Sequence, residues 1–219
     1  MKKLPGILND VIGPVMRGPS SSHTAASWRI ARIALDILNE PLEKALTEFD
    51  TNGAWAPNYR EQGTTMGIDG GLLGLEITDE RMKVTESYAR EKGIIIEYQI
   101  SSFPTEHANT VRLTLWGISK KMVQIVAVSL GGGSFEIRSV NGFPVQLCGD
   151  LYEIMFFTKN KPDISDELKA RGTIASRSLR LLAEARHEGL QVRQGDAVMA
   201  SRRAGGRELT LLHPLQDRV

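Results

Sequence analysis

Gly18-Pro19-Ser20-Ser21-Ser22-His23-Thr24 runs directly into Ala25-Ala26-Ser27-Trp28-Arg29-Ile30-Ala31-Arg32-Ile33-Ala34-Leu35-Asp36-Ile37-Leu38. In the second part Ile30, Ile33, Ala34, Ile37 and Leu38 recur at three- and four-residue spacing, which predicts an amphipathic helix over 24–39. Gly13-Pro14 and Gly18-Pro19 break the chain ahead of it, and Pro41 follows it. The serine-histidine cluster is therefore predicted on a loop that feeds a helix N-terminus. The first backbone N–H groups of a helix lack internal partners, and the dipole is positive there. Hydroxyls add donors, and a histidine can carry a proton near neutral pH. One Ser or Thr would suffice as a cap. Three adjacent serines and a histidine exceed that need, so Ser20, Ser21, Ser22, His23 and Thr24 are expected to form a site for a carboxylate or phosphate.

Outward from this stretch, residues 42–56 read as a helix-to-strand passage that includes Ala45–Asp50. A polar loop is predicted over 58–67, then a short Gly-rich helix over 68–75, whose glycine density implies close packing on a neighbour. Thr78-Asp79-Glu80 opens a further helix that stops at Gly93. Strands are predicted at Ile94–Ile100, Thr110–Trp116, Met122–Leu130 and Ser134–Val140, with a turn at Asn141-Gly142. Between the first two strands, His107, Asn109 and Thr110 form a possible second anion site. Gly131-Gly132-Gly133 has no Gly-Lys-Ser/Thr after it, which excludes a Walker-type nucleotide loop. A boundary is placed near 142–149, giving units 1–147 and 148–219. In the second unit, strands at Tyr152–Thr158, Leu190–Ala200 and Arg207–Leu212 and a helix over Ser165–His187 are expected. That βαββ order resembles the start of an ACT-type regulatory domain, a truncated copy. Lys161-Pro162-Asp163 stands where many such domains carry an Asp-Arg-Pro-Gly-like turn. Docking or dimerisation through open strand edges is the role expected of it.

The 219 residues carry a net charge of +1, so no electrostatic case exists for nucleic acid or an anionic membrane. No apolar run approaches the roughly 18 residues of a membrane span, and no apolar segment of a leader follows Met1-Lys2-Lys3. One cysteine, Cys148, excludes a disulfide framework and suits a reducing cytoplasm. It also excludes an iron-sulfur cluster held by this chain alone. Four scattered histidines show no zinc-ligand spacing, so no metal site is expected here.

The Gly-Pro-Ser-Ser-Ser-His-Thr stretch before a helix strongly resembles the N-terminal motif of iron-sulfur-dependent L-serine dehydratases, specifically their beta chain. Gly63-Thr64, the Gly-Leu-Leu-Gly segment at 71–74, Asp79-Glu80-Arg81, the His107-X-Asn109-Thr110 segment and Gly131-Gly132-Gly133 follow in the family's order and spacing. The match covers roughly Gly13 to Gly142. It implies an α+β fold similar to the allosteric substrate-binding domains of some phosphoglycerate dehydrogenases. It further implies a cysteine-bearing alpha subunit as partner, holding a [4Fe-4S] cluster, with this chain completing the active site and pairing with its own copy. The reaction implied is β-elimination from L-serine or a related amino acid, in which iron acts on the leaving oxygen, a base removes the α-proton, and ammonia follows. The serines, Thr24, Gly63 and Thr64 would bind substrate, and His23 would assist proton transfer. The sequence departs from the family at four points. After His23-Thr24 the family usually has Gly-Pro or similar within a few residues, and here Ala25-Ala26-Ser27-Trp28 stands. Gln62 and Thr65 stand where Lys-Gly-His-Gly-Thr-Asp has its histidine and acid, and Ala108 replaces the proline of His-Pro-Asn-Thr. Glutamine cannot exchange a proton at neutral pH, which leaves Glu61 as the nearest candidate base. A non-catalytic amino-acid or anion sensor, or an assembly subunit, on the same scaffold is the alternative.

Overall fold

The structure is a computed structural model. It describes residues 15–149, together with the backbone of strands at 152–158, 179–182, 189–195, 203–204 and 207–212.

The serine cluster folds as a π-helical turn, Ser21–Ala25, continuous with helix α1, Ala26–Leu38. Asn39 ends α1 in the left-handed region, its N–H returning to the Leu35 carbonyl at 3.0 Å. Strand β1, Leu42–Asp50, helix α2, Thr64–Leu72, and helix α3, Thr85–Glu91, come next. Strands β2, Ile95–Ser101, β3, Thr110–Gly117, β4, Met122–Gly131, β5, Ser134–Val140, and β6, Phe143–Leu147, complete this part.

These six strands make one sheet in the order β2-β1-β3-β4-β5-β6. Only β1 and β2 run parallel, because the chain between them passes through α2 and α3, as a parallel pairing requires. Alternation puts Ala45 and Phe49, Val111, Leu113 and Leu115, Val123, Ile125 and Ala127, and Ile137 on one face, in register across the sheet. Ile30, Ile33 and Ile37 of α1 and Ile68 and Leu72 of α2 cover that face and share one buried core with it. The opposite face carries charge: Glu48 receives the Arg112 guanidinium through two bonds of 2.6 Å and the Ser101 hydroxyl at 3.0 Å.

Helices α1 and α2 approach closely along a glycine row. A Cβ on Gly67 would lie 2.1 Å from Ser27 Oγ and 2.3 Å from the Thr24 carbonyl oxygen. One on Gly71 would lie 2.6 Å from the Trp28 carbonyl oxygen. The expectation that the glycines mark close packing holds.

In this part several sequence expectations change. Helix α2 begins at Thr64, inside the predicted polar loop, because Gly63 adopts φ +76° and turns the chain into the helix there. The helix expected from Thr78 is two pieces. A 3-10 turn, Glu80–Val84, is capped by the Asp79 carboxylate, and α3 starts afresh at Thr85 because Val84 leaves the helical region at φ −133°. Residues 42–50 are wholly strand, and β6 was not anticipated.

Beyond residue 149, strands β7, Tyr152–Thr158, β8, Leu179–Leu182, β9, Gly189–Gly195, β10, Arg203–Ala204, and β11, Arg207–Leu212, form a sheet ordered β10-β11-β7-β9-β8. Leu179–Leu182 lies within the predicted helix but pairs antiparallel with β9, so cross-strand pairing overrides local helix preference. The rest of 165–187, Lys161-Pro162-Asp163 and residues 196–200 lie outside the described residues. The fold is α+β. Among the described residues no helix is long and apolar enough to cross a membrane.

Asp69 of α2 is buried at the junction of α2, α3 and β2. It accepts the Thr85 hydroxyl at 3.1 Å and the Tyr98 hydroxyl by a short bond. Burial raises its carboxyl from 3.8 to about 6, and these two hydrogen bonds only partly oppose the rise. The folded carboxyl thus keeps its proton to about pH 6, whereas the unfolded one releases it near 3.8. Between these values the folded state binds more protons, so stability falls as pH rises through the window and stays level above it. The full effect is on the order of 3 kcal/mol. Asp69→Asn removes it. Chemical denaturation across pH should find the variant more stable than wild type at pH 7.5, with the advantage shrinking as pH falls below about 6 and vanishing once pH is well below the unfolded value of 3.8.

Candidate active site

Two helix starts converge, and the serine cluster lies at their meeting point. Thr24 is fully buried and donates its hydroxyl to the Gln62 carbonyl at 3.1 Å, the residue just before Gly63 and α2. A Cβ on Gly63 would fall 2.5 Å from Thr24 Oγ1, so only glycine lets the two starts come this close. Ser27 reinforces the junction with a 3.1 Å bond to the Thr64 carbonyl. The positive ends of both dipoles therefore point into one region.

Within it, Ser20 Oγ and Ser22 Oγ each lie 3.1 Å from His23 Nδ1, and 3.2 Å from one another. The Ser22 carbonyl is held in turn by the buried Ser129 hydroxyl of β4 at 2.8 Å. The His23 ring packs 5.7 Å from Trp55, tilted by 36°. Burial lowers the imidazole's basicity, and the Asn58 side chain raises it by less, so His23 is neutral at pH 7. Four buried polar atoms at or near this site, His23 Nε2, Trp55 Nε1, Asn58 Oδ1 and Thr64 Oγ1, have no hydrogen-bond partner among the described residues. Buried polar groups are nearly always satisfied, and an unsatisfied one costs about 1–3 kcal/mol. Their presence beside a neutral imidazole is what a binding site for a polar ligand looks like.

The loop of His107, Asn109 and Thr110 is tied by hydrogen bonds to the serine cluster. The Ser129 N–H donates to the Asn109 carbonyl at 3.0 Å while its hydroxyl holds Ser22. The Ala54 N–H donates to the Ala108 carbonyl at 2.8 Å, tying the loop of His107 to the loop of Trp55. His107 Nδ1 accepts the Asn109 N–H at 3.1 Å. The Thr110 hydroxyl donates to the His107 carbonyl.

Among the expected residues, Ser20, Ser22, His23, Thr24, Gly63 and Thr64 come together. Gln62 enters through its backbone carbonyl. Ser21 opens the π-helical turn, and Glu61 is exposed on the loop before α2. Trp55, Asn58 and Ser129 were not read from the sequence. Each is distant from the serine motif along the chain, and only the fold brings it there, at the ends of the interior strands β1 and β4. Among the described residues no three His, Cys, Asp or Glu side chains stand together as metal ligands. With Cys148 the one thiol in the sequence, this chain's own residues do not fit a [4Fe-4S] cluster.

No family model matches the chain. It is similar to the probable L-serine dehydratase beta chain of Bacillus subtilis strain 168, at 38% identity over 152 residues, 69% of this chain and 68% of the relative. It is also similar to the L-serine dehydratase beta chain of Peptoniphilus asaccharolyticus, at 30% identity over 147 residues, 67% of this chain and 65% of the relative. The matched stretch thus spans about two thirds of each relative's length. The chain belongs to the L-serine dehydratase beta-chain family.

Proposed function

We propose that this chain is the beta subunit of a two-component dehydratase that eliminates water from L-serine or a closely related hydroxy amino acid and releases ammonia. A cysteine-bearing alpha subunit supplies the [4Fe-4S] cluster, and this chain completes the site across the interface. The observation that carries the reading is the neutral His23, fixed by two serine hydroxyls where two helix starts meet, with its Nε2 unpartnered. The helix starts and serine hydroxyls favour the substrate carboxylate. Glu61 is exposed and the Gln62 carboxamide does not ionise near neutral pH, so His23 is the proton-transfer group at the centre of the site. His107 and Asn109, tied to the cluster through Ser129, line the adjoining loop.

The test is anaerobic affinity purification of the tagged chain from its native cells, with iron and sulfide measured on whatever accompanies it. A stoichiometric cysteine-rich partner carrying iron and sulfide supports the assignment. A chain that emerges alone and free of iron contradicts it.

Gln62 favours a second reading, an amino-acid or anion sensor without catalysis. Calorimetry of the free chain with L-serine and with phosphate separates the two. Binding that is lost in His23→Ala, without any lyase activity in the assembled complex, would establish the sensor.

A further inference from the structure

We propose that Tyr98 is a positioning residue of the site: its hydroxyl ties strand β2 to the Thr65 carbonyl in the first turn of α2, and Asp69 switches that tie, on while its carboxyl holds a proton and off once it is ionised. The claim about substrate binding rests on the dehydratase reading; the tie itself does not.

The Tyr98 hydroxyl lies 3.3 Å from the Thr65 carbonyl oxygen and makes a short bond with Asp69 Oδ1. Two acceptors thus meet a group with one hydrogen. Burial, and Asp69 beside it, push the ionisation of the phenol well above its ordinary range, so that hydrogen is always present. The Thr65 carbonyl has none of its own and can only accept. Asp69 can do either. Its Oδ2 accepts the Thr85 hydroxyl at 3.1 Å, so a proton held by the carboxyl sits on Oδ1 and is given to the Tyr98 oxygen. Tyr98 then directs its own hydrogen to Thr65, and all three groups are satisfied in one chain. Once the carboxyl ionises, the charged oxygen is the stronger acceptor and takes the Tyr98 hydrogen. The Thr65 bond is then lost. Burial sets the changeover at about pH 6. The other charged groups that face the cavity between α2, α3 and β2 divide. Arg60 favours the ionised carboxyl and Glu86 the protonated one, while Lys83 and Arg90 are paired with Glu80 at 2.8 Å and with Glu86 at 3.0 Å.

The tie bears on the site because the first turn of α2 is shared. Thr65 follows Thr64, whose carbonyl holds the Ser27 hydroxyl at 3.1 Å, and Gly63, which packs against Thr24. The Thr64 and Thr65 N–H groups both reach the Tyr59 carbonyl, at 2.9 and 3.3 Å, and the Tyr59 ring stacks on Tyr98 with centroids 6.0 Å apart. Tyr98 therefore braces this helix start directly and through Tyr59. The start is one of the two whose dipoles favour the substrate carboxylate, so the braced form should bind substrate more tightly.

Thr65-Met66 is the one Thr-Met pair in the sequence, so carbon-13 in threonine carbonyls and nitrogen-15 in methionine isolate this single carbonyl by NMR of the full chain. Its resonance is expected to move downfield as pH falls from 7.5 through about 6, with the same midpoint as the Asp69 carboxyl. In Tyr98→Phe the step should vanish. In Asp69→Asn the amide group donates to Tyr98 at every pH while its oxygen keeps Thr85, so the carbonyl should stay at its low-pH position. No step in wild type overturns the inference, and so does a step that persists in either variant. Asp69→Asn is expected to be more stable than wild type, so a poorly folding Tyr98→Phe does not spare the claim. In the assembled complex, KM for L-serine should fall by about 2- to 10-fold as pH drops through the same range, the worth of one hydrogen bond. Asp69→Asn should hold the low value and Tyr98→Phe the high one at every pH, an opposition that mere loss of packing would not produce. A KM that ignores pH in an active wild-type complex overturns the positioning role. A complex inert toward L-serine and related hydroxy amino acids, with the carbonyl step intact, fails the dehydratase reading and leaves the tie standing.

Discussion

Replacing His23 by glutamine, in the chain assembled with its partner, is expected to lower kcat for L-serine by at least about 100-fold, the lower bound of what general acid–base groups contribute. Glutamine can still hydrogen-bond to the serines but cannot take up a proton. Folding should be little changed, because His23 is half-buried within the π-helical turn and the core is carried by Trp28, Ile30 and their neighbours. Steady-state kinetics together with a thermal scan checks both halves. The acid side of the profile should follow His23. Burial lowers its basicity, so the wild-type complex should retain its activity at pH values somewhat below the ordinary histidine range before the ring becomes charged. Near-normal kcat in His23→Gln would mean that another group moves the proton.

The largest stability effect should come from Gly67→Ala. The added methyl would sit 2.1 Å from Ser27 Oγ and 2.3 Å from the Thr24 carbonyl oxygen. A hydroxyl can rotate, but the carbonyl belongs to the helix that carries the site. Overpacking of this kind costs about 1–3 kcal/mol, and a clash with backbone belongs at the upper end or beyond. At 2–4 °C per kcal/mol, roughly the scaling for a chain of this size, the midpoint should fall by about 6–12 °C. The cost extends to function, because α1 and α2 must separate and with them the two helix starts. Gly93→Ala is the control: Gly93 also has positive φ, but an added methyl meets nothing within 4 Å. That change should cost about 1–2 kcal/mol of backbone strain only. Differential scanning calorimetry distinguishes the two, and equal losses would show that the glycine row is not a packing contact.

The elements with strong periodicity were legible. Spacing alone located α1, alternation located β3 and β5, and a continuous apolar run located β4, each strand to within a residue of its observed ends. Where local preference and tertiary demand diverged, the sequence misled. Thr64, Thr65 and Gly67 look like loop residues, yet packing on α1 makes them the first turn of α2. Asn141-Gly142 announces a hairpin, but Pro144 obscures its second arm, which lies at the sheet edge where proline is tolerated. Leu179–Leu182 reads as helix until β9 is beside it.

The site divides in the same way. The serine-histidine motif is contiguous and could be read directly. Its supports could not, since Ser129 reaches Ser22 across more than a hundred residues and nothing in a polar loop marks Asn58. Gln62 shows the converse: the position was noticed for its side chain, whereas its backbone carbonyl is what joins the two helices.

The most direct measurement is conversion of L-serine by the anaerobically purified complex, compared with the partner alone and with this chain alone. Ketoacid and ammonia should form in equal amounts with both chains present, and neither chain should support turnover by itself. Full activity of the partner without this chain, or an iron-loaded complex inert toward L-serine and related hydroxy amino acids, would contradict the assignment of the His23 site as half of a dehydratase.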